Sequence, residues 1–272
     1  MNPLAGKYLR KNFLPFIFCP GCGDGMIVHA FLEAVDELGI IDDLALAAGI
    51  GCSAWIPVYI HADVLKVLHG RAIPAAIGLK ATRPSRKVVV FTGDGDGLAI
   101  GGLHMLHAAR RNIEMTVVMV NNQIYAMTGG QVAPTTPLHG RTQTSPYGNL
   151  EFPFDVCELG RSAGATYVAR WTAAHPTQLL KAIKEGVEHK GFSFIEVMAQ
   201  CPTQAGRYIE GSSNPGELLS LLKKRAVSLE KAKGASQEEL AGKFIVGKLY
   251  HLNGKKEFCQ AIYESFPEEK VR

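Results

Sequence analysis

No apolar run among the 272 residues approaches the roughly 18–20 needed to cross a bilayer. No signal-peptide core follows the short polar start, because Pro15 interrupts the apolar stretch at 13–18 and Cys19-Pro20 closes it. The chain therefore reads as cytoplasmic, with no membrane partner expected. An excess of one charge is also missing. The 29 basic and 25 acidic residues leave a net charge of +4, and no basic stripe is interleaved with aromatics. Nucleic acid is accordingly not expected as a partner. There is no internal repeat or low-complexity tract. Six cysteines are present, but a reducing cytosol disfavours structural disulfides. Metal binding, redox chemistry or plain burial must account for them.

What is there has the balance of an ordinary globular protein: 47% hydrophobic and 20% charged residues, enough for one large domain and a small appendage. Short unbroken apolar runs recur at 44–50, 87–91, 115–120 and 192–198. Runs of that length without alternation suit strands covered on both faces, as in a parallel sheet. Helical stripes lie between them at 24–38, 99–111 and 176–189, the last opening with Pro176 in its first turn. The alternation predicts an α/β fold, an open, mostly parallel sheet with helices on both faces. Residues 128–150 form a long polar loop, a type that is commonly functional. Beyond Gly211 the character changes. A charged amphipathic helix is expected over 218–231 and a linker over 233–237, so the chain divides into a main domain, 1–210, and an appendage, 211–272, packing on the domain or on a partner.

The run 88–91 leads straight into Thr92-Gly93-Asp94-Gly95-Asp96-Gly97, and a helical pattern follows. Open α/β sheets bind ligands at the carboxyl ends of their strands. Glycines let the backbone approach a diphosphate, the following helix N-terminus favours anionic oxygens, and an aspartate suits Mg²⁺ bridged to phosphate. The next strand ends in Asn121-Asn122, so neighbouring strand ends place Asp94 and an asparagine within reach of one ion. Taken singly, the first motif is also a tight turn and the second a helix cap or Asx turn.

Cys19-Pro20-Gly21-Cys22 precedes a helix, Cys52 follows a strand in Gly49-Ile50-Gly51-Cys52-Ser53, and Cys201 lies beyond the run 192–198. Zinc and an iron–sulfur cluster both accept four thiolates, and spacing alone leaves them open. Cys157 and Cys259 lack such settings and read as buried small hydrophobes.

The full pattern from Gly93 to Asn122 resembles the magnesium–diphosphate motif of thiamine diphosphate enzymes. Residues 118–131, Val-Met-Val-Asn-Asn-Gln-Ile-Tyr-Ala-Met-Thr-Gly-Gly-Gln, resemble the thiamine loop of the 2-oxoacid:ferredoxin oxidoreductases. The Cys19–Cys22 and Cys52 segments resemble that family's cluster ligands, and His69-Gly70-Arg71 its histidine–glycine–arginine stretch. The resemblance runs from about Phe16 to Arg207 and is weak beyond. It implies that Asp94, the Asn122 side chain and the Ile124 carbonyl bind Mg²⁺. Gly93, Gly95, Asp96, Ala126 and Met127 would touch thiamine diphosphate, with Thr128 closing the loop and Ile50, Gly51, Cys52, Ser53 and His69 bordering the cofactor. Cys19, Cys22, Cys52 and Cys201 would hold a [4Fe–4S] cluster, and Arg71 a substrate carboxylate.

The same resemblance implies the β subunit of an enzyme that oxidatively decarboxylates a 2-oxoacid to an acyl-coenzyme A and CO₂, or runs in reverse. Electrons would pass through the cluster to ferredoxin. An α subunit would supply the glutamate that activates the cofactor, in an assembly of two α and two β chains, so no catalytic acid or base is assigned here. The short chain and the His-Gly-Arg stretch favour 2-oxoglutarate over pyruvate or branched 2-oxoacids. The rivals are a non-oxidative thiamine decarboxylase and a zinc-stabilised binding module.

Overall fold

Eight strands form where the chain is apolar enough to be covered or lies at a sheet edge. In the computed structural model, which describes residues 3–266, they are β1 (Leu44–Ala48), β2 (Asp63–Lys66), β3 (Lys87–Gly93), β4 (Met115–Asn121), β5 (Tyr167–Thr172), β6 (Phe192–Met198), β7 (Ala226–Ser228) and β8 (Phe244–His251). Their order across one sheet is β2-β1-β3-β4-β6-β5-β8-β7. Every neighbouring pair is parallel except β5 with β8. The four predicted runs are β1, β3, β4 and β6, and β1, β4 and β6 are buried along their whole length.

The helices are α1 (Pro3–Tyr8), α2 (Gly23–Leu38), α3 (Ala72–Thr82), α4 (Gly102–Arg110), α5 (Val156–Ala163), α6 (Pro176–Glu188), α7 (Pro215–Arg225), α8 (Leu229–Ala232), α9 (Gln237–Leu240) and α10 (Phe258–Ser265). Alternate residues of each strand point to opposite faces, and the two cores follow that rule. On one face, Ile27 and Phe31 of α2 and Leu179 and Ile183 of α6 meet Val89, Phe91 and Val118. On the other, Ile73, Met105 and Val156 from α3, α4 and α5 meet Val88, Val90, Val117 and Phe194. Phe31 meets Phe91 edge to face with ring centroids 5.0 Å apart. Burying a side chain of this size contributes about 1.5–3 kcal/mol. No helix among the described residues is long and apolar enough to cross a membrane.

Two expectations need correction. The helix read over 218–231 ends at Arg225, because residues 226–228 are extended and pair with β8; a new short helix, α8, starts after them. The helix expected from residue 99 is preceded by a wide π-helical turn, Gly95–Ile100, and becomes regular only at Gly102. C-terminal to residue 211, β8 extends the sheet by pairing with β5; residues 267–272 of the expected appendage lie outside the described residues.

A buried ion pair ties β5 to β6: Arg170 Nε donates to Glu196 Oε2, and the side chains are 9% and 2% exposed. Arg170 also holds Asp155 at 2.6 Å. Glu196→Ala would leave Arg170 with the exposed Asp155 as its remaining carboxylate partner. We expect a loss of about 3 kcal/mol, the low end for a broken buried pair because one partner remains, measured by urea unfolding.

Candidate active site

Parallel pairing sets the strand ends side by side. Gly93 of β3 is in register with Val120 of β4, and Asn121 with Met198 of β6. The segments that follow therefore emerge along one rim.

Asp94 sits at the end of β3 and is 3% exposed. Its Oδ1 accepts the Gly95 N–H at 3.0 Å, and its Oδ2 accepts the Thr135 hydroxyl. Burial nevertheless pushes its pKa up to about 6, against those hydrogen bonds. It is a carboxylate short of positive charge. Asn122 Oδ1 accepts the Ile124 N–H at 3.2 Å, leaving a second lone pair. With the Ile124 carbonyl these are hard oxygens, the donors that Mg²⁺ prefers. Asn121 turns the other way: its amide donates to Glu196 Oε1 at 2.7 Å while its Oδ1 accepts from Gln123 N–H at 3.0 Å. That clamp fixes Gln123 at φ 65° and starts the loop.

The loop closes on itself through Tyr125 N–H to Gln131 O at 2.9 Å and Gly130 N–H to Tyr125 O at 2.9 Å. Ala126 is partly buried, Met127 is 46% exposed, and Thr128 is exposed with its hydroxyl on Gln131 Oε1. Tyr125 OH reaches back to Gly95 O at 3.2 Å. A Cβ on Gly95 would stand 2.2 Å from the Tyr125 ring, so only glycine fits there.

Asp96, expected to touch the diphosphate, turns its carboxylate into the protein. Its Oδ1 accepts from Ile50 N–H at 3.2 Å, Gly70 N–H at 2.7 Å and the His69 ring at 2.6 Å, and its Oδ2 from the Thr92 hydroxyl at 2.7 Å. A buried carboxylate needs such donors, whereas phosphate oxygens would repel it. What Asp96 offers a ligand is its backbone. Arg71 is exposed and bonded to the Gly70 and Ile100 carbonyls at 3.4 and 3.3 Å.

The four expected cysteines converge. Cys22 and Cys52 each feel the charge of Cys201, and Cys52 and Cys201 each feel that of Cys19. Burial first, then Asp24 and the neighbouring thiols, raises Cys22 far above the thiol range; the same causes push Cys52 up to about 12. Cys201 is raised by burial, opposed by hydrogen bonds from the backbone at Ala205, Gln204 and Thr203. The buried side-chain atoms without a partner among the described residues are Asp24 Oδ1, Gln200 Oε1 and Thr203 Oγ1. All three belong to this cradle: Asp24 touches Cys22 Sγ at 3.5 Å, Gln200 adjoins Cys201, and Thr203 follows two residues on. Among the described residues no three His, Cys, Asp or Glu side chains close tightly enough on one point to hold a single metal ion. Cys157 and Cys259 are buried elsewhere, Cys157 with its thiol 3.3 Å from Glu196.

Cradle and loop touch. Ile124, Cys201 and Ala205 form one buried cluster, with Ala126 and Tyr208 packed against it. A Cβ on Gly93 would lie 3.5 Å from Ser53 Oγ, which puts the Cys52 turn beside Asp94. Ser53 is buried, Gly51 is partly so, and Ile50 is 43% exposed at the rim.

A family model described as the C-terminal TPP binding domain of thiamine pyrophosphate enzymes matches residues 47–197. The chain is 50% identical over 265 residues to the 2-oxoglutarate synthase subunit KorB of Methanocaldococcus jannaschii, covering 97% of each chain. It is 48% identical to the subunit of the same name from Methanothermobacter thermautotrophicus, over 100% of this chain and 94% of that one. The chain belongs to the β subunits of the 2-oxoacid:ferredoxin oxidoreductases. A solved structure described as the 2-oxoglutarate:ferredoxin oxidoreductase from Magnetococcus marinus, with 2-oxoglutarate, coenzyme A and succinyl-CoA bound, shares the fold. Its TM-score is 0.86 at 32% identity, over 98% of this chain and 91% of that chain.

Sequence reasoning missed Thr135, Asp24, Thr203 and the Glu196–Asn121 clamp. In this β subunit they are single polar residues within a helix, loops and strands, with no motif to mark them. For the oxidoreductase grip on thiamine diphosphate, Gly95→Ala should weaken binding at least tenfold by isothermal titration, because Tyr125 and its loop must move. Gly25→Ala, whose Cβ meets nothing within 4 Å, should leave binding unchanged.

Proposed function

We propose that this chain is the cofactor-bearing β subunit of a 2-oxoglutarate:ferredoxin oxidoreductase. It makes succinyl-coenzyme A and CO₂ in one direction, or carboxylates in the other. The observation that supports this reading is the buried contact of Ile124 with Cys201; the loop would grip the diphosphate and metal on one side of it, and the cysteines would hold the cluster on the other.

Asp94, Asn122 and the Ile124 carbonyl would hold Mg²⁺, with the backbone of residues 95–97 and the loop 126–130 around the diphosphate. Cys19, Cys22, Cys52 and Cys201 would hold the iron–sulfur cluster, and the unpaired Thr203 hydroxyl, two residues beyond Cys201, would be a donor available to it. Thiamine diphosphate, when bound, supplies the electron sink for the carbon that loses CO₂. The chain's own residues grip, orient and exclude water. Tyr125 and Thr135 stiffen the metal loop, and the apolar contact at Ile124 seals the path to Cys201.

One side of the groove is open. Ile100, Leu103, Met127, Leu150, Phe152 and Phe154 are all exposed, between 46% and 84%. A cleft of 310 Å³ lined in part by Tyr125, Phe152 and Phe154 runs beside the loop. An apolar rim of this kind marks an interaction surface. The partner α subunit fits there and brings the activating glutamate, in an assembly of two α and two β chains.

Anaerobic purification with the partner should give about four irons, with sulfide, per chain, and one thiamine diphosphate. Assay with a panel of 2-oxoacids, coenzyme A and a low-potential acceptor should show the highest kcat/KM on 2-oxoglutarate. Zinc in place of iron, or decarboxylation with no need for an acceptor, overturns the reading. Preference for pyruvate or branched substrates overturns the substrate alone. Asp94→Ala should abolish Mg²⁺-dependent thiamine diphosphate binding, and retained binding would refute that ligand.

A further inference from the structure

Asp96 and His69 form a pair that gripping a cofactor does not require. Two of the donors on Asp96 Oδ1, the Ile50 and Gly70 N–H groups, are backbone amides that can only donate. The Thr92 hydroxyl occupies Oδ2 at 2.7 Å. The carboxylate is thus an acceptor on both oxygens. Its contact with His69 Nδ1, at 2.6 Å, requires the proton to sit on that nitrogen, since a bare Nδ1 would set its lone pair against those of the oxygen. The opposite ring nitrogen, Nε2, then carries the free lone pair. It has no hydrogen-bond partner among the described residues, and the side chain is 37% exposed. The ring stands edge-on to Tyr125, centroids 6.2 Å apart, and Tyr125 is bonded to Gly95 of the phosphate turn. Nε2 is therefore a proton-accepting atom at the mouth of the cofactor groove, backed by a buried anion.

We propose that Asp96 is a positioning residue that locks His69 in its Nδ1-protonated form, so that Nε2 exchanges a proton with the 2-oxo oxygen of the substrate. The first half stands on geometry alone, and the second rests on the function proposed above. The substrate oxygen gains a proton when its carbon is attacked and loses it when the acyl product forms. Nε2 takes up a proton from solvent to form the imidazolium, gives it to that oxygen as the carbon is attacked, and recovers it when the acyl product forms. Asp96 stabilises the imidazolium at either end of the cycle, as a buried carboxylate behind a histidine does in hydrolases. This job differs from that of the partner's glutamate, which acts on the cofactor.

Two measurements test it. Nitrogen-resolved NMR of the full chain labelled with ¹⁵N-histidine, with the His69 signals assigned by their loss in His69→Gln, should show Nδ1–H and a bare Nε2. A proton on Nε2 in the neutral wild-type ring overturns the proposal. In the enzyme assembled with its partner, Asp96→Asn and His69→Gln should each lower kcat about a hundredfold, while the double variant is no slower than His69→Gln within about threefold. Asparagine keeps an acceptor for the amides, removes the charge, and presents an amide donor that the Thr92 hydroxyl oxygen can accept. Thiamine diphosphate affinity, read by tryptophan fluorescence, should change less than about threefold in each. If Asp96→Asn slows the His69→Gln enzyme by its full factor, Asp96 serves the fold and not the histidine, and the proposal fails. If the Nδ1–H form is found but the assembled wild type turns over no 2-oxoacid, the pair stands and the functional reading falls.

Discussion

A single buried carboxylate holds the site together. Asp96 accepts hydrogen bonds from the segment after β1, from the His69-Gly70 segment and from β3 itself. Without those donors its burial would cost several kcal/mol, so the three segments are drawn in to satisfy it. The glycine after β1 follows from this: a Cβ on Gly49 would meet the carboxylate at 2.5 Å. Two motifs that look unrelated in the sequence, Gly-Ile-Gly-Cys and His-Gly-Arg, are thus bound to one acid two residues beyond Asp94. The Cys52 turn and the phosphate turn hold a fixed relation because both lean on that acid.

The second constraint is the cost of bare thiolates. Cys22, Cys52 and Cys201 are each pushed toward the neutral thiol, mainly by burial. Yet the N–H groups of residues 203–205 point at Cys201, which favours the charged sulfur. The two influences oppose each other, and the cluster proposed above would reconcile them: its iron would compensate the thiolates' charge, and the amides would then stabilise its sulfurs. The unpaired atoms of Asp24, Gln200 and Thr203 lie in this same region. A core packed only for stability satisfies its polar groups, so their concentration here marks a place shaped for something other than packing.

Much of this was legible in the sequence, and the limits have physical causes. β1, β3, β4 and β6 announced themselves as unbroken apolar runs. β5 did not, because Arg170 stands inside it, and only its pairing with Glu196 explains a buried charge there. β2 is a short, largely exposed edge strand whose residues carry no burial pattern. Residues 226–228 continue a helical stripe and become a strand only because β8 is beside them, a partner that local periodicity cannot see. Asp94, Asn122 and the four cysteines were singled out because their spacing suits a ligand set. Asp96 was expected at the diphosphate, and position alone does not tell which way its carboxylate turns. The loop after Asn122 read as polar because it is: Thr135, Thr136 and Asn149 are buried in it and bonded to Asp94, to Gln123 O and to loop carbonyls, in place of an apolar core.

The open rim gives these devices their meaning. Electrostatic effects strengthen as water is excluded, and on the isolated chain His69 is one-third exposed and the apolar side chains beside the loop face solvent. Asp94, Asp96 and Cys201 are already buried by the chain's own fold, and Cys22 and Cys52 are partly covered. His69 and the rim from Ile100 to Phe154 remain exposed. Covering that rim would lower the dielectric around Nε2 and leave the gripping groups untouched. The division is physically sensible: the subunit prepares the charges that must be held rigidly, and leaves exposed the one ring that must exchange a proton.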